Sequence, residues 1–187
     1  MRWQAGRLAG WQAGGWRTVR TILASALLLG VGADATRAEV IDRLLAVVGG
    51  ELIMLSDVSA ARDLGLVKPG PSADPIREVL SHLIDRQLQL IEVERYAPRE
   101  PTSEEVDREI QNVRARHPSQ EAFDAVLARS GITVPQLGKR LRDDLRIQAY
   151  LDQRFSTAAD RRQRLIDEWI AGLRRRTPII DLYLVGG

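Results

Sequence analysis

Few residues of this chain have the type and spacing that chemistry needs. Gly131, Gly138 and Lys139 approach a phosphate-binding loop, in which backbone N–H groups cradle a polyphosphate and a Lys reaches its outer phosphates. Six residues separate those glycines where the loop needs four, and Arg140 stands where Ser or Thr would bind Mg²⁺. They read instead as a helix stop and a solvated helix position. The adjacent carboxylates Glu104-Glu105 and Asp143-Asp144 point in different directions on a helix, so neither pair shares a proton. They read as first-turn dipole partners and a solvated face. Asp181 interrupts an apolar run; strand alternation makes it an outward position, the alternative being a buried functional acid.

His82 falls in a helical stretch and His117 beside Pro118 in a loop, neither with a partner at ligand or triad spacing, so both read as structural or surface residues. No Ser sits in a G-x-S-x-G elbow. The absence of Cys removes disulfides, thiolate nucleophiles, iron–sulfur clusters and Cys-ligated zinc. No catalytic residue, metal site or cofactor is therefore assigned, and the chain reads as a non-enzyme.

The 187 residues hold 27 Lys+Arg and 25 Asp+Glu, with 44% hydrophobic content, an ordinary globular composition. Much of the basic excess sits at the front. Arg2, Arg7, Arg17 and Arg20 precede the apolar run 21–31 and then Ala33-Asp34-Ala35, the layout of a secretory signal peptide. Cleavage is expected after Ala35, with Ala38 as second choice; an uncleaved anchor is the alternative, but the apolar run falls short of the ~20 residues a span requires. Losing residues 1–35 removes four Arg and one Asp, taking the formal charge from +2 to −1. The remaining chain, 36–187, is one domain without the basic footprint of a nucleic-acid binder. It is expected to be exported, with no membrane span after cleavage.

That domain opens with two β-branched-rich runs, 44–48 and 51–55, separated by Gly49-Gly50, which reads as a hairpin with a type I′ turn. Another strand-like run, 179–185, follows Pro178 at the far end. An isolated hairpin is marginal in water, so the two ends of the domain are expected to share one small sheet. Between them the chain reads as helix. Ser56 caps a short helix to about Leu64. Asp74-Pro75 opens a long one to about Tyr96. Thr102 with Glu105 and Thr133 with Gln136 form capping boxes for two more, the second reaching about Phe155. Shorter pieces run over 121–129 and, last, 157–176, which ends in Arg174-Arg175-Arg176. The fold class is thus mainly α with a small β-sheet. Uneven amphipathic helices on so small a sheet are expected to leave apolar faces that form a groove for extended or helical peptide segments. Val106, Ile110, Val113, Phe123, Val126, Leu127 and Leu137 are its candidate lining, the alternative being that they only pack a core.

Residues 39–57 (EVIDRLLAVVGGELIMLSD) resemble the opening hairpin of SurA-type periplasmic chaperones. Residues 81–96 (SHLIDRQLQLIEVERY) resemble their long second helix, 101–107 (PTSEEVD) its successor, and 136–155 the helix closing their N-terminal region. Residues 169–184 resemble their C-terminal helix and strand. Family members carry one or two parvulin prolyl-isomerase domains between the last two segments, whereas here 156–159 alone join them. The resemblance implies a SurA N-terminal-like chaperone domain without its isomerase: an exported, ATP-independent holdase for unfolded or outer-membrane-bound polypeptides, with the periplasm as its destination. A prolyl-isomerase-related protein and a non-chaperone envelope assembly subunit are the alternatives.

Overall fold

Gly49 and Gly50 have φ of 59° and 96°, the left-handed pair that a tight two-residue turn needs. In the computed structural model, which describes residues 42–183, they join β1 (Leu44–Val48) to β2 (Glu51–Met54) in an antiparallel hairpin. β3 (Ile179–Asp181) pairs antiparallel with the other side of β1, in the order β2-β1-β3. The two ends of the domain meet in one sheet, as expected. The export signal and its cleavage positions at Ala35 and Ala38 lie outside the described residues, as do 184 and 185 of the expected last strand.

Six helices fill the described chain between β2 and β3: α1 (Leu55–Asp63), α2 (Pro75–Tyr96), α3 (Ser103–Arg114), α4 (Gln120–Ser130), α5 (Val134–Arg154) and α6 (Ala159–Arg176). Their starts follow the caps. Asp74 accepts from the Arg77 N–H at 2.9 Å with Pro75 in the first turn, and Thr102–Glu105 and Thr133–Gln136 each close reciprocal boxes. Gly131, at φ 67°, terminates α4. One cap differs from expectation. Met54, not Ser56, precedes α1; its N–H donates to Asp57 Oδ2 at 2.8 Å, while the Ser56 hydroxyl is drawn to the Asp42 carboxylate.

Two apolar cores result. The larger joins the inner face of the sheet (Leu45, Val48, Ile53) to α2, the second half of α5 and α6, through Leu80, Leu83, Ile84, Leu88, Ile147, Trp169 and Leu173. Tyr150 stacks between Tyr96 and Trp169 at 5.4 and 5.7 Å, linking three helices. The terminal arginines, expected to answer the helix dipole, also bind α6 to α2: Arg174 Nε lies 2.6 Å from Asp85, and Arg176 lies 2.9 Å from the buried Glu92. β3 is held to the start of α2, since the Tyr183 hydroxyl donates to Asp74 at 2.8 Å and Arg77 lies 2.5 Å from Asp181. Asp181 is exposed but not outward as expected: it pairs with the buried Ala46, on the face opposite Ile180, where its carboxylate meets Arg77 of α2.

Candidate functional site

The smaller core is where the sequence placed a groove. Val106, Ile110 and Val113 come from α3, Phe123, Val126 and Leu127 from α4, and Leu137 from α5. The structure brings all seven together, but at most 9% of any of them is exposed, and Leu64 and Leu141 complete the cluster. The expectation that they line an open groove is therefore corrected: these apolar faces cover one another. Apolar periodicity gives a helix an inward face without saying what that face meets.

Open apolar surface lies instead on the sheet. Leu52 is 59% and Ile180 56% exposed, and the half-buried Val47 stands between them, paired with Leu52 on one side and Ile180 on the other. An apolar row thus crosses all three strands on the face away from the core. β2 and β3 are both edge strands. The Gly49 N–H donates to the Pro178 carbonyl at 3.0 Å, and the Leu45 carbonyl accepts from the Leu182 N–H at 2.9 Å, so odd-numbered residues of β1 bond toward β3. Val48 then bonds toward Glu51 across the turn, and the Leu52 N–H and C=O point out of the free β2 edge.

Beside that edge is a polar cleft between α1, α2 and α5. One cavity of about 130 Å³ touches Leu52, Ile53, Asp57, Leu83, Arg86, Gln87 and Arg140. Another of about 260 Å³ shares Asp57, Arg86 and Arg140 with it and adds Ile132, Leu137 and Lys139 among its walls. Successive strand residues point to opposite faces, so a space touched by both Leu52 and Ile53 runs along the strand edge. Arg86 is committed here. Its Nε lies 2.5 Å from Asp144, and its Nη2 donates to the Arg140 carbonyl at 3.0 Å and lies 3.9 Å from Asp143. Asp143 and Asp144 are both half-buried in this network rather than on a solvated face. Burial raises the Asp143 carboxyl above its usual range, against the pull of Arg86, Lys139 and Arg146.

Arg140 is different. Among the described residues its guanidinium has no hydrogen-bond or ion-pair partner, and its Nε is out of contact with solvent. Burial, and then the Arg86 charge beside it, disfavours its protonated form, while Asp144, Asp57 and Asp143 favour it, and a guanidinium does not give up its proton in a protein. Arg140 is half-buried, and a cation so placed without a directly bonded partner gives up part of its hydration, offset in part by the nearby Asp144, Asp57 and Asp143. Sequence reading passed over this residue, treating it only as the wrong member of a phosphate loop. No local signal marks it, because Asp57 and Arg86 come from distant parts of the chain.

The two histidines carry no site: His82 is exposed, and the His117 ring packs 5.6 Å from Phe123. No cluster of three or more acidic or His side chains among the described residues could hold a metal ion, and no described helix is long and apolar enough to cross a membrane. No protein-family model matches the chain, and no curated protein matches it.

Proposed function

We propose that this protein is an exported, ATP-independent chaperone that holds unfolded or outer-membrane-bound polypeptides in the periplasm, without prolyl isomerase activity. The observation that carries the reading is the three-stranded sheet, whose β2 and β3 have one strand partner each among the described residues, with the apolar row Leu52, Val47 and Ile180 across its outer face. An extended segment added to either edge gains main-chain hydrogen bonds that ignore its sequence, while the row takes up alternate apolar side chains. That is the economy a holdase needs, tolerant of sequence but selective for unfolded chains. Apolar burial contributes about 25 cal/mol per Å², offset by the cost of ordering the client, so affinity is weak and broad. The segments that resemble SurA-type chaperones include the strands that make this sheet, which adds support.

The test is light scattering from a denatured β-barrel client diluted into buffer with the protein in several-fold excess. Suppressed scattering is expected, and weaker suppression with Leu52→Glu and Ile180→Glu together. Scattering unchanged by the protein refutes the reading. A proline-isomerisation assay on a model peptide should give no rate above background.

A further inference from the structure

The unpaired guanidinium of Arg140 and the free edge of β2 share one cavity wall. From this juxtaposition we infer that the cleft binds the C-terminal carboxylate of an extended polypeptide, Arg140 receiving the carboxylate and the outward N–H and C=O of Leu52 pairing with the peptide backbone. The inference rests on the polypeptide-binding reading above and narrows it to the end of the client chain.

Charge selects the ligand. The cleft is walled by the cations Arg86, Lys139 and Arg140 and by the anions Asp57 and Asp143, and with Asp144 bound to Arg86 behind the wall these charges sum to zero. That suits a monoanion better than a phosphate carrying two charges. Asp57 already accepts from the Met54 N–H at 2.8 Å, and Arg86 is held by Asp144, so Arg140 and the exposed Lys139 are left to answer a new oxyanion, and of the two Arg140 also lies in the space beside Leu52. A carboxylate matches its fork with two parallel N–H···O bonds, in surroundings where such bonds are strengthened by exclusion of water.

Size and lining select the rest. The two spaces, about 260 and 130 Å³ with Asp57, Arg86 and Arg140 in both linings, are each of a size for one terminal side chain or its carboxylate, not a folded element. Ile132, half-buried in the lining, gives an apolar wall for that last side chain. The preceding residues of the peptide run out along β2, where an added strand finds an unpaired edge.

The experiment titrates the purified full-length protein with a fluorescent apolar pentapeptide ending in a free carboxylate, and with the same peptide ending in an amide. The free acid should bind about tenfold tighter or more, the share expected of a charge-assisted bond. Arg140→Gln should abolish that preference while leaving the thermal midpoint unchanged or raised, because it removes a cation the fold does not pair. Leu52→Pro, which removes the outward N–H, should weaken acid and amide alike. Inorganic phosphate at millimolar concentration should displace the acid only weakly. Equal binding of acid and amide overturns the inference, as does a preference that survives Arg140→Gln. Complete displacement by phosphate also overturns it, in favour of a plain oxyanion site. An Arg140→Gln protein that unfolds would assign the side chain a structural role and overturn it as well. Suppressed client aggregation with no acid preference sinks this inference alone, whereas absent suppression sinks the chaperone reading whatever the peptides do.

Discussion

Replacing Phe123 with Ala separates a filled core from an open groove. Phe123 is fully buried, with the His117 ring 5.6 Å away and the Arg114 guanidinium 5.5 Å over its face. Its neighbours in the cluster sit on α3, α4 and α5, each anchored by its own cap, so they cannot collapse into the vacated space without moving whole helices. A Phe→Ala change in such a setting costs about 3–5 kcal/mol, the lost transfer energy plus the cavity left behind. With a urea m-value of about 2 kcal/mol/M for a domain of this size, the unfolding midpoint should fall by about 1.5–2.5 M. Helical circular dichroism followed through a urea series measures it. Because the smaller core draws on different helix segments from the larger, the loss is also expected to appear as an early phase confined to α3 and α4, visible as lowered amide protection there. Were Phe123 the wall of an open groove, the substitution would move the midpoint by no more than about 0.25 M, as surface changes of about 0.5 kcal/mol do. A shift that small refutes the two-core architecture.

Two further outcomes follow from local geometry. Gly49→Ala should cost about 1–3 kcal/mol in the same urea series, because a Cβ there would stand 2.7 Å from Ile91 Cδ1 on a backbone with φ 59°; Gly50→Ala, with open space around it, should cost only the left-handed strain of about 1 kcal/mol. Equal losses would contradict the packing of α2 on the turn. The Arg77 N–H, and after it the Tyr183 hydroxyl, hold the Asp74 carboxyl below its usual range. A depressed folded-state pKa contributes stability in full above the unfolded value, near pH 4, and loses it as pH falls through the lower folded value. Asp74→Asn should therefore narrow the gap between thermal midpoints at pH 7 and pH 3, and an unchanged gap would refute the cap's role.

Local rules made most of the elements legible. The Gly49-Gly50 turn, the Asp74-Pro75 start and the two capping boxes depend on residues within four positions of each other, so they can be read directly from the chain. Ser56 misled because its competitor, Asp42, lies fourteen residues away and claimed the hydroxyl. The meeting of the chain ends was inferable because a lone hairpin needs a partner and one other strand was on offer. The site was harder. Val106, Phe123 and their neighbours carry the same apolar spacing whether they face a client or one another, and the tie is broken by helix placement, which is a long-range matter. Asp143 and Asp144 looked solvated because Arg86, their partner, sits 57 and 58 residues upstream. Arg140 is a further step removed: it is notable for a partner it lacks, and a sequence carries no mark of that.

The sheet has a consequence for how the molecule is made. Val48 must find Ile179, so closing β1 against β3 spans about 130 residues, a loop whose entropy is lost before any pairing rewards it. Synthesis presents the β1–β2 hairpin before the six described helices and completes the sheet with β3 after them. Throughout that interval the central strand is itself an unpaired edge, open to the same kind of extended segment that the finished protein is proposed to hold. Premature termination anywhere before Pro178 would leave it so permanently, because Ile179, Ile180 and Asp181 are the residues that cover it.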